Sequence, residues 1–330
     1  MTPYAQLTRA GQTRRLTRLA GTALGAYALS PVRLTRLAQG WNTTFRVDTA
    51  GDDRYVLRVH RPNGPTTEMI RSELVWLSAL RRDTDLEVPV PVPTRDGDLV
   101  TVAAVDGVPG QRTCDVLRWL DGRFVARGLT PAHLRAIGVF TARLQEHGAR
   151  FAPPDGFTRG AVDQVGATDV LVDVHSRHAG SVVEAVLDRV AQARRVLGDG
   201  PDRTGLIHAD LHYENVLFQR LEMAAIDFDD CGYGPYLYDL AVTLSEVQHR
   251  PDYRSLRPAL LDGYSTVRPL AAEHERLLDT FIALRFVQNM MARVEERATP
   301  LFRTTWFDQV TRNVGWFERF LATGDGSPVA

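Results

Sequence analysis

The reading of this chain turns on His208-Ala209-Asp210-Leu211-His212-Tyr213-Glu214-Asn215-Val216-Leu217-Phe218, followed shortly by Ala225-Ile226-Asp227-Phe228-Asp229-Asp230. Two short apolar runs, residues 205–208 and 223–226, read as strands, and each delivers a carboxylate as it ends. Asp210 and Asp227 stand 17 positions apart. The intervening Val216-Leu217-Phe218 is placed to pair with Ala225-Ile226, which would bring Asp210, Asn215 and Asp227 to one mouth. Two carboxylates and an amide oxygen are hard ligands, a set that suits Mg2+ held jointly with substrate phosphates. The letters His208, Asp210 and His212 also allow a transition-metal site, although no further His cluster follows at ligand spacing and Asn215 would go unused.

Around this core the C-terminal half is dominated by 3.6-residue periodicity, which predicts helices over 131–147, 181–197, 237–248, 273–297 and 305–321. The N-terminal half reads differently. Short alternating runs at 32–37, 45–48, 54–60, 99–105 and 115–119 predict five strands of an antiparallel sheet. One helix interrupts them, beginning after the capping threonines Thr66 and Thr67, with Ile70, Leu74 and Leu77 as its apolar stripe. The run Val88-Pro89-Val90-Pro91-Val92-Pro93 cannot supply successive ladder donors, so it reads as a stiff connector. A turn at 120–123 separates the halves. Ahead of the sheet, Leu16, Leu19, Ala20 and Ala23 have the spacing of an amphipathic first helix; Arg14-Arg15 before a weak apolar run also loosely resembles a twin-arginine leader.

The chain has 330 residues with 39 basic against 40 acidic side chains, a formal net charge of −1. No whole-chain field would gather it on nucleic acid or an anionic membrane, and no apolar run is long enough to span one. Every basic residue is Arg, with no Lys anywhere. That absence excludes a P-loop, a pyridoxal Schiff base and a Lys-dependent aldolase. Cys114 and Cys231, 117 positions apart, fit neither a metal knuckle nor a secreted disulfide framework, so a reducing, cytoplasmic setting is expected.

The paired motifs HADLHYENVLF and IDFDD resemble the catalytic loop and metal-binding Asp of the aminoglycoside phosphotransferase-like kinases, the protein-kinase-like group that includes choline and homoserine kinases. The resemblance spans about Gly40 to Asp239. It implies an α+β, bilobal protein-kinase-like fold: a small antiparallel-sheet N-lobe over 1–120 and a larger, mainly helical C-lobe over 121–330. It implies ATP and Mg2+ as cofactors, with Asp210 accepting the proton of an attacking hydroxyl, Asn215 and Asp227 holding the metal, and His208 bracing the loop. The glycine of the protein-kinase DFG motif is absent, since Phe228 is followed by Asp229, which matches the small-molecule branch.

The same resemblance directs the reading of the N-terminal half. Gly40, Asn42, Thr43 and Thr44 occupy the phosphate-covering turn, with side chains standing in for a glycine-rich loop. Arg58 stands where kinases carry the nucleotide-binding Lys, and a guanidinium can clamp phosphate oxygens in a bidentate way. Glu73, on the inward face of the following helix, is its expected partner, with Glu68 as the rival. Trp119 and Leu120 would meet the adenine, and Trp119 equally suits the core. Asp239 reads as a buttress of the catalytic loop or a helix cap.

The expected partner is a small-molecule hydroxyl acceptor rather than nucleic acid or membrane. Asp229, Asp230, Glu246, Glu295 and Glu296 offer negative charge that favours a cationic acceptor such as an amino alcohol, a homoserine-like amino acid or an aminoglycoside; Asp229 and Asp230 also suit capping or salt bridges. Two alternatives stay open: a Ser/Thr protein kinase resembling the bacterial stress-response type, and a catalytically silent nucleotide-binding regulator.

Overall fold

The computed structural model describes residues 3–39, 42–125, 128–299 and 302–324. The chain divides into two compact units, Met1–Asp121 with Ala152–Arg159, and Gly122–Phe151 with Gly160–Ala330.

The first unit opens with helix α1 (Arg9–Leu24), whose N-terminus is capped by the Thr8 hydroxyl accepting from the Gly11 amide. A five-stranded antiparallel sheet follows, built from β1 (Pro31–Gln39), β2 (Thr43–Thr49), β3 (Arg54–Val59), β4 (Val100–Ala103) and β5 (Arg112–Arg118) in the order β1-β2-β3-β5-β4. Strand parity sorts the faces. Phe45, Val47, Leu57, Val59, Cys114 and Val116 form one buried core with Leu16, Leu19, Ala20 and Ala23 of α1, as the amphipathic reading expects. Arg58 and Asp115, directly opposed on β3 and β5, therefore share the other face.

Helix α2 (Thr67–Asp83) is inserted between β3 and β4, with Thr66 as its cap and Ile70, Glu73, Leu74 and Leu77 buried. The segment 152–159 is tied to α2 by the Thr158 amide on Ser72 Oγ at 2.8 Å and by Arg159 on the Met69 carbonyl at 3.1 Å. The Val-Pro run does more than connect. Val92 donates to the Val116 carbonyl and Arg118 to that of Val90, each at 2.8 Å, so alternate non-proline residues line the end of β5 that β4 does not reach. Proline at every second position removes only donors that would point away from the sheet.

The second unit contains α3 (Pro131–Arg150), α4 (Val170–Val174), α5 (Arg177–Leu197), β6 (Thr204–Ile207), β7 (Val216–Gln219), β8 (Glu222–Ala225), β9 (Gly232–Pro235), α6 (Tyr236–Val247), α7 (Tyr253–Ser265), α8 (Ala272–Glu275), α9 (Leu278–Glu295) and α10 (Trp306–Thr323). Three departures from the sequence reading stand out. α7 is absent from it because Pro258 inside the helix reads as a breaker. The expected single helix over 273–297 is interrupted between α8 and α9 at Arg276-Leu277. β9, with two glycines and a proline in four residues, carries no strand pattern, yet it pairs antiparallel with β6 while β7 pairs with β8.

α3 approaches its neighbours at glycines. A Cβ at Gly138 would run into the Leu260 carbonyl of α7, and one at Gly148 into the Leu206 carbonyl of β6. Hydrogen at these positions lets the helix backbone lie directly against the strand that leads to Asp210.

Candidate active site

β6 ends at Ile207, and the chain then turns through His208, Ala209 and Asp210. Ala209 has φ 66°, a left-handed conformation that costs a non-glycine residue about 1–2 kcal/mol. α6 holds that turn at two points. Asp239 accepts the Ala209 amide at 2.7 Å, and Thr243 donates to the Leu211 carbonyl at 2.7 Å. Asp239 is fully buried and also accepts from Gln145 at 3.1 Å. Burial pushes its carboxyl up to about 6, against the pull of Gln145 and of backbone amides.

His208, Asp210, Asn215 and Ile226 close a hydrogen-bonded ring. The Asp210 amide donates to His208 Nδ1 at 3.2 Å, and His208 Nε2 faces the Ile226 carbonyl at 3.1 Å. The Ile226 amide donates to the Asn215 carbonyl at 2.9 Å, and Asn215 Nδ2 returns to the Asp210 carboxylate at 2.8 Å. This ring, rather than direct pairing of β6 with β8, joins the two carboxylate-bearing ends. It also assigns the His208 tautomer: Nδ1 accepts and Nε2 donates, so the ring is neutral. Burial pushes His208 down to about 4, consistent with that state. With both nitrogens engaged and the residue wholly buried, His208 has no lone pair for a transition metal. Among the described residues no group of three or more His, Cys, Asp or Glu is disposed to hold a metal.

Asp210 itself is gripped on both oxygens. Arg285 of α9 donates to Oδ1, and His212 Nε2 lies 3.4 Å from Oδ2, alongside Asn215. Burial alone would raise the Asp210 carboxyl, but His212 and the Arg285 guanidinium bring it below the ordinary carboxylate value. His212 is correspondingly raised: burial opposes its charge, and the adjacent carboxylate more than restores it. Asp210 is therefore ionised at neutral pH.

Asn215 spends its amide nitrogen on the Asp210 carbonyl and carboxylate, which leaves Oδ1 as the end for a cation. Asp227 follows β8, exposed and with φ 63°, so its carboxylate is a second hard oxygen beside the same hairpin. Hard oxygens of this kind fit a small divalent cation that keeps its remaining positions for water or phosphate. Asp229 is half-buried and Asp230 exposed, and the charge of Asp230 acts on Arg285.

In the first unit, Gly40 lies outside the described residues. Thr43 and Thr44 stand inside β2, in register with Val59 and Arg58, so their backbone serves the sheet. Asn42 precedes the strand. Arg58, 5% exposed, donates from Nη1 to Glu73 at 2.8 Å and from Nε to Asp115 at 3.0 Å. The pairing is with Glu73 rather than Glu68. Asp115 also meets His60 Nε2 at 2.6 Å. Burial would raise Asp115, and the Arg58 guanidinium with the hydrogen bond from His60 carries it below its ordinary value. Trp119 is not core: it is half-buried beside the half-buried Leu120, donates to Asp121 at 3.1 Å and lies under Arg54.

The profile of the phosphotransferase enzyme family matches residues 33–277. The chain belongs to that family. This phosphotransferase is 30% identical to the microcompartment-associated aminopropanol kinase, with 96% of this chain and 100% of that one covered and a TM-score of 0.81. It is 29% identical to the homoserine kinase of Caulobacter vibrioides, over 83% of this chain and 84% of that one. At 21% identity, the amicoumacin kinase hAmiN, solved in complex with AMP-PNP, Ca2+ and Ami, shares the fold with a TM-score of 0.79 over 98% of each chain. The protein is thus a kinase-type small-molecule phosphotransferase with an α+β fold, an antiparallel-sheet N-terminal part and a helical C-terminal part. No helix among the described residues is long and apolar enough to cross a membrane.

Sequence reasoning about this phosphotransferase missed Asp115, His60 and Arg285. Asp115 was legible in principle, as a carboxylate between Cys114 and Val116 on the parity that faces Arg58. Arg285 carries no local signal, being one arginine among many on a helix 75 positions from its partner.

Proposed function

We propose that the protein transfers the γ-phosphoryl of ATP to a hydroxyl of a small molecule of the amino alcohol, homoserine-like or aminoglycoside class, with Mg2+ as its metal. The observation that carries this reading is the ionised Asp210, gripped on both oxygens and joined through the ring to Asn215 and the strand that leads to Asp227. A carboxylate in that state accepts the hydroxyl proton as the oxygen attacks, and its fixed orientation presents the lone pair without reorganisation. His208, neutral and buried, sets the turn and moves no proton. Asn215 and Asp227 would hold Mg2+, which when bound neutralises charge on the transferring phosphate oxygens. Arg58, held by Glu73 and Asp115, would serve the nucleotide phosphates with Asn42, Thr43, Thr44 and Gly40, while Trp119 and Leu120 would flank the base. Asp229 and Asp230 would act on the acceptor side. The two cysteines are buried and not joined in a disulfide, which suits the reducing cytoplasm.

Asp210→Asn tests the reading. Turnover in a coupled ADP-release assay should fall by about 10²- to 10⁴-fold, with ATP affinity by titration calorimetry held within a few-fold. An unchanged turnover would remove Asp210 from the chemistry and the assignment with it.

A further inference from the structure

Residues 285, 289 and 293 recur at four-residue spacing on α9 and so form one row along the helix, each step rising about 6 Å. The row is Arg285, Asn289, Arg293, and it begins at the Asp210 carboxylate, to whose Oδ1 Arg285 donates. Its polar groups are poorly served by the protein. Arg285 Nε is buried with no hydrogen-bond partner among the described residues. Asn289 and Arg293 are half-buried and make no hydrogen bond or ion pair with any described residue; Arg293 only lies over the Phe302 ring. Glu246, half-buried on α6, which packs against α9, is likewise without a hydrogen bond or ion pair among the described residues.

These groups lie close enough for their charges to act on one another. Arg293 is held below its ordinary value by burial and by Arg285 and Arg312, with Glu246 opposing. Half-buried charges without partners are costly to fold, and Arg293 and Glu246, two such charges on the helices that hold the base, are placed to meet a ligand. A cationic amino alcohol would place its ammonium among guanidiniums, with Glu246 beside Arg293 and Asp230 acting on Arg285 in partial compensation. A hydroxy acid would satisfy the guanidiniums and leave Glu246 unserved. A hydroxylated amino acid in its zwitterionic form satisfies both.

We propose that Arg285, Asn289 and Arg293 of α9 bind the carboxylate, and Glu246 of α6 the ammonium, of a zwitterionic hydroxy amino acid whose hydroxyl is directed to Asp210. The proposal rests on the phosphotransfer reading above and narrows its acceptor from cations in general to zwitterions. Arg293 and Glu246 are specificity-determining residues for the acceptor, and neither takes part in the proton transfer.

Matched acceptors test it. Homoserine is compared with propanolamine, which lacks only the carboxylate, and with γ-hydroxybutyrate, which lacks only the ammonium; threonine is compared with isopropanolamine. Both kcat/KM from ADP release and direct binding by calorimetry in the presence of a non-hydrolysable ATP analogue are read. The zwitterion should be preferred over either truncated partner by about tenfold or more. Arg293→Met should collapse the carboxylate preference through KM, Arg293→Lys should keep part of it, and Glu246→Gln should collapse the ammonium preference. A wild-type preference for the decarboxylated acceptors, ratios unmoved in both Arg293→Met and Glu246→Gln, or binding of no zwitterion would each overturn the proposal. Zwitterion binding that depends on Arg293 and Glu246 without phosphoryl transfer would uphold it and defeat the kinase reading. Phosphorylation of amino alcohols without carboxylate preference would do the reverse.

Discussion

Arg58 neutralises two carboxylates that have no access to water, Glu73 at 1% and Asp115 at 0% exposure. Replacing it with methionine keeps most of the volume and removes the charge from both pairs, which span 2.8 and 3.0 Å. Breaking one buried ion pair from a single side costs about 3–5 kcal/mol, and because the two pairs share one guanidinium the same range serves for the pair of them. The deficit must depend on pH. In the wild type Asp115 is held below its unfolded value, so its contribution is present above that value and lost as pH falls. In Arg58→Met the same burial, opposed at Asp115 by His60 but no longer by the guanidinium, raises the carboxyls, so the penalty grows as pH rises through the raised values. Only the second effect falls between about pH 5 and about pH 7, since the first is complete above the unfolded carboxyl value, and it makes the loss larger at about pH 7 by roughly 1 kcal/mol or more. Urea unfolding followed by tryptophan fluorescence measures it, with Trp76 fully buried on α2 three residues from Glu73 as the reporter. The triple replacement Arg58→Met, Glu73→Met, Asp115→Leu should recover part of the loss, since it leaves no buried carboxylate uncompensated while the buried His60 loses its acceptor. Arg58→Lys should fall between, because an ammonium is a point charge that reaches one carboxylate and not both in the same geometry. An Arg58→Met protein within about 0.5 kcal/mol of wild type, or one whose deficit is the same at both pH values, would refute the reasoning.

Two further outcomes concern the support of Asp210. The Asp239 carboxyl, raised by burial to about 6, takes up a proton more readily folded than unfolded, so through this group stability falls as pH climbs from about 4 to about 6, by up to about 2–3 kcal/mol. Asp239→Asn should flatten that part of the urea-midpoint profile and slow turnover, because an amide cannot accept from both the Ala209 amide and Gln145; an unaltered slope would count against the assignment. Gly148→Ala should cost about 1–3 kcal/mol and lower kcat as the Leu206 carbonyl of β6 is displaced, whereas Gly21→Ala on α1, where a Cβ meets nothing, should stabilise by about 0.4–1 kcal/mol. Equal melting temperatures for the two alanine variants would show that α3 has slack against β6.

Much of the architecture was readable because its determinants are local. The five strands and α2 follow from parity and stripe, and Thr66 caps α2 in the ordinary way. The β7–β8 hairpin forms between residues a few positions apart, with Val216 opposite Ala225 and Leu217 opposite Ala224. What escaped the reading are elements whose own residues argue against them. α7 carries Pro258 in its interior, and β9 is strand only because β6 offers it an unpaired edge. At the site, Asp210, Asn215 and Asp227 were legible as hard oxygens at a fixed spacing with His208 bracing the loop, while the bonds that join His208, Asp210 and Asn215 run through the backbone of Ile226.

The sequence by itself determined the inventory: a chain whose basic residues are all arginine, with Arg58 inside the strand before α2, and two carboxylates and an amide at the ends of short strands. It determined them because spacing of a few residues, strand parity and helical stripes depend on neighbours in the chain. Only the tertiary structure decided the partners. Asp115 reaches Arg58 across 57 positions and Arg285 reaches Asp210 across 75, and in each case the arginine is chosen from 39 basic residues by which backbone elements pack together. Charge acts through space, so the state of a carboxylate is set by what the fold brings near it and how little water it leaves there.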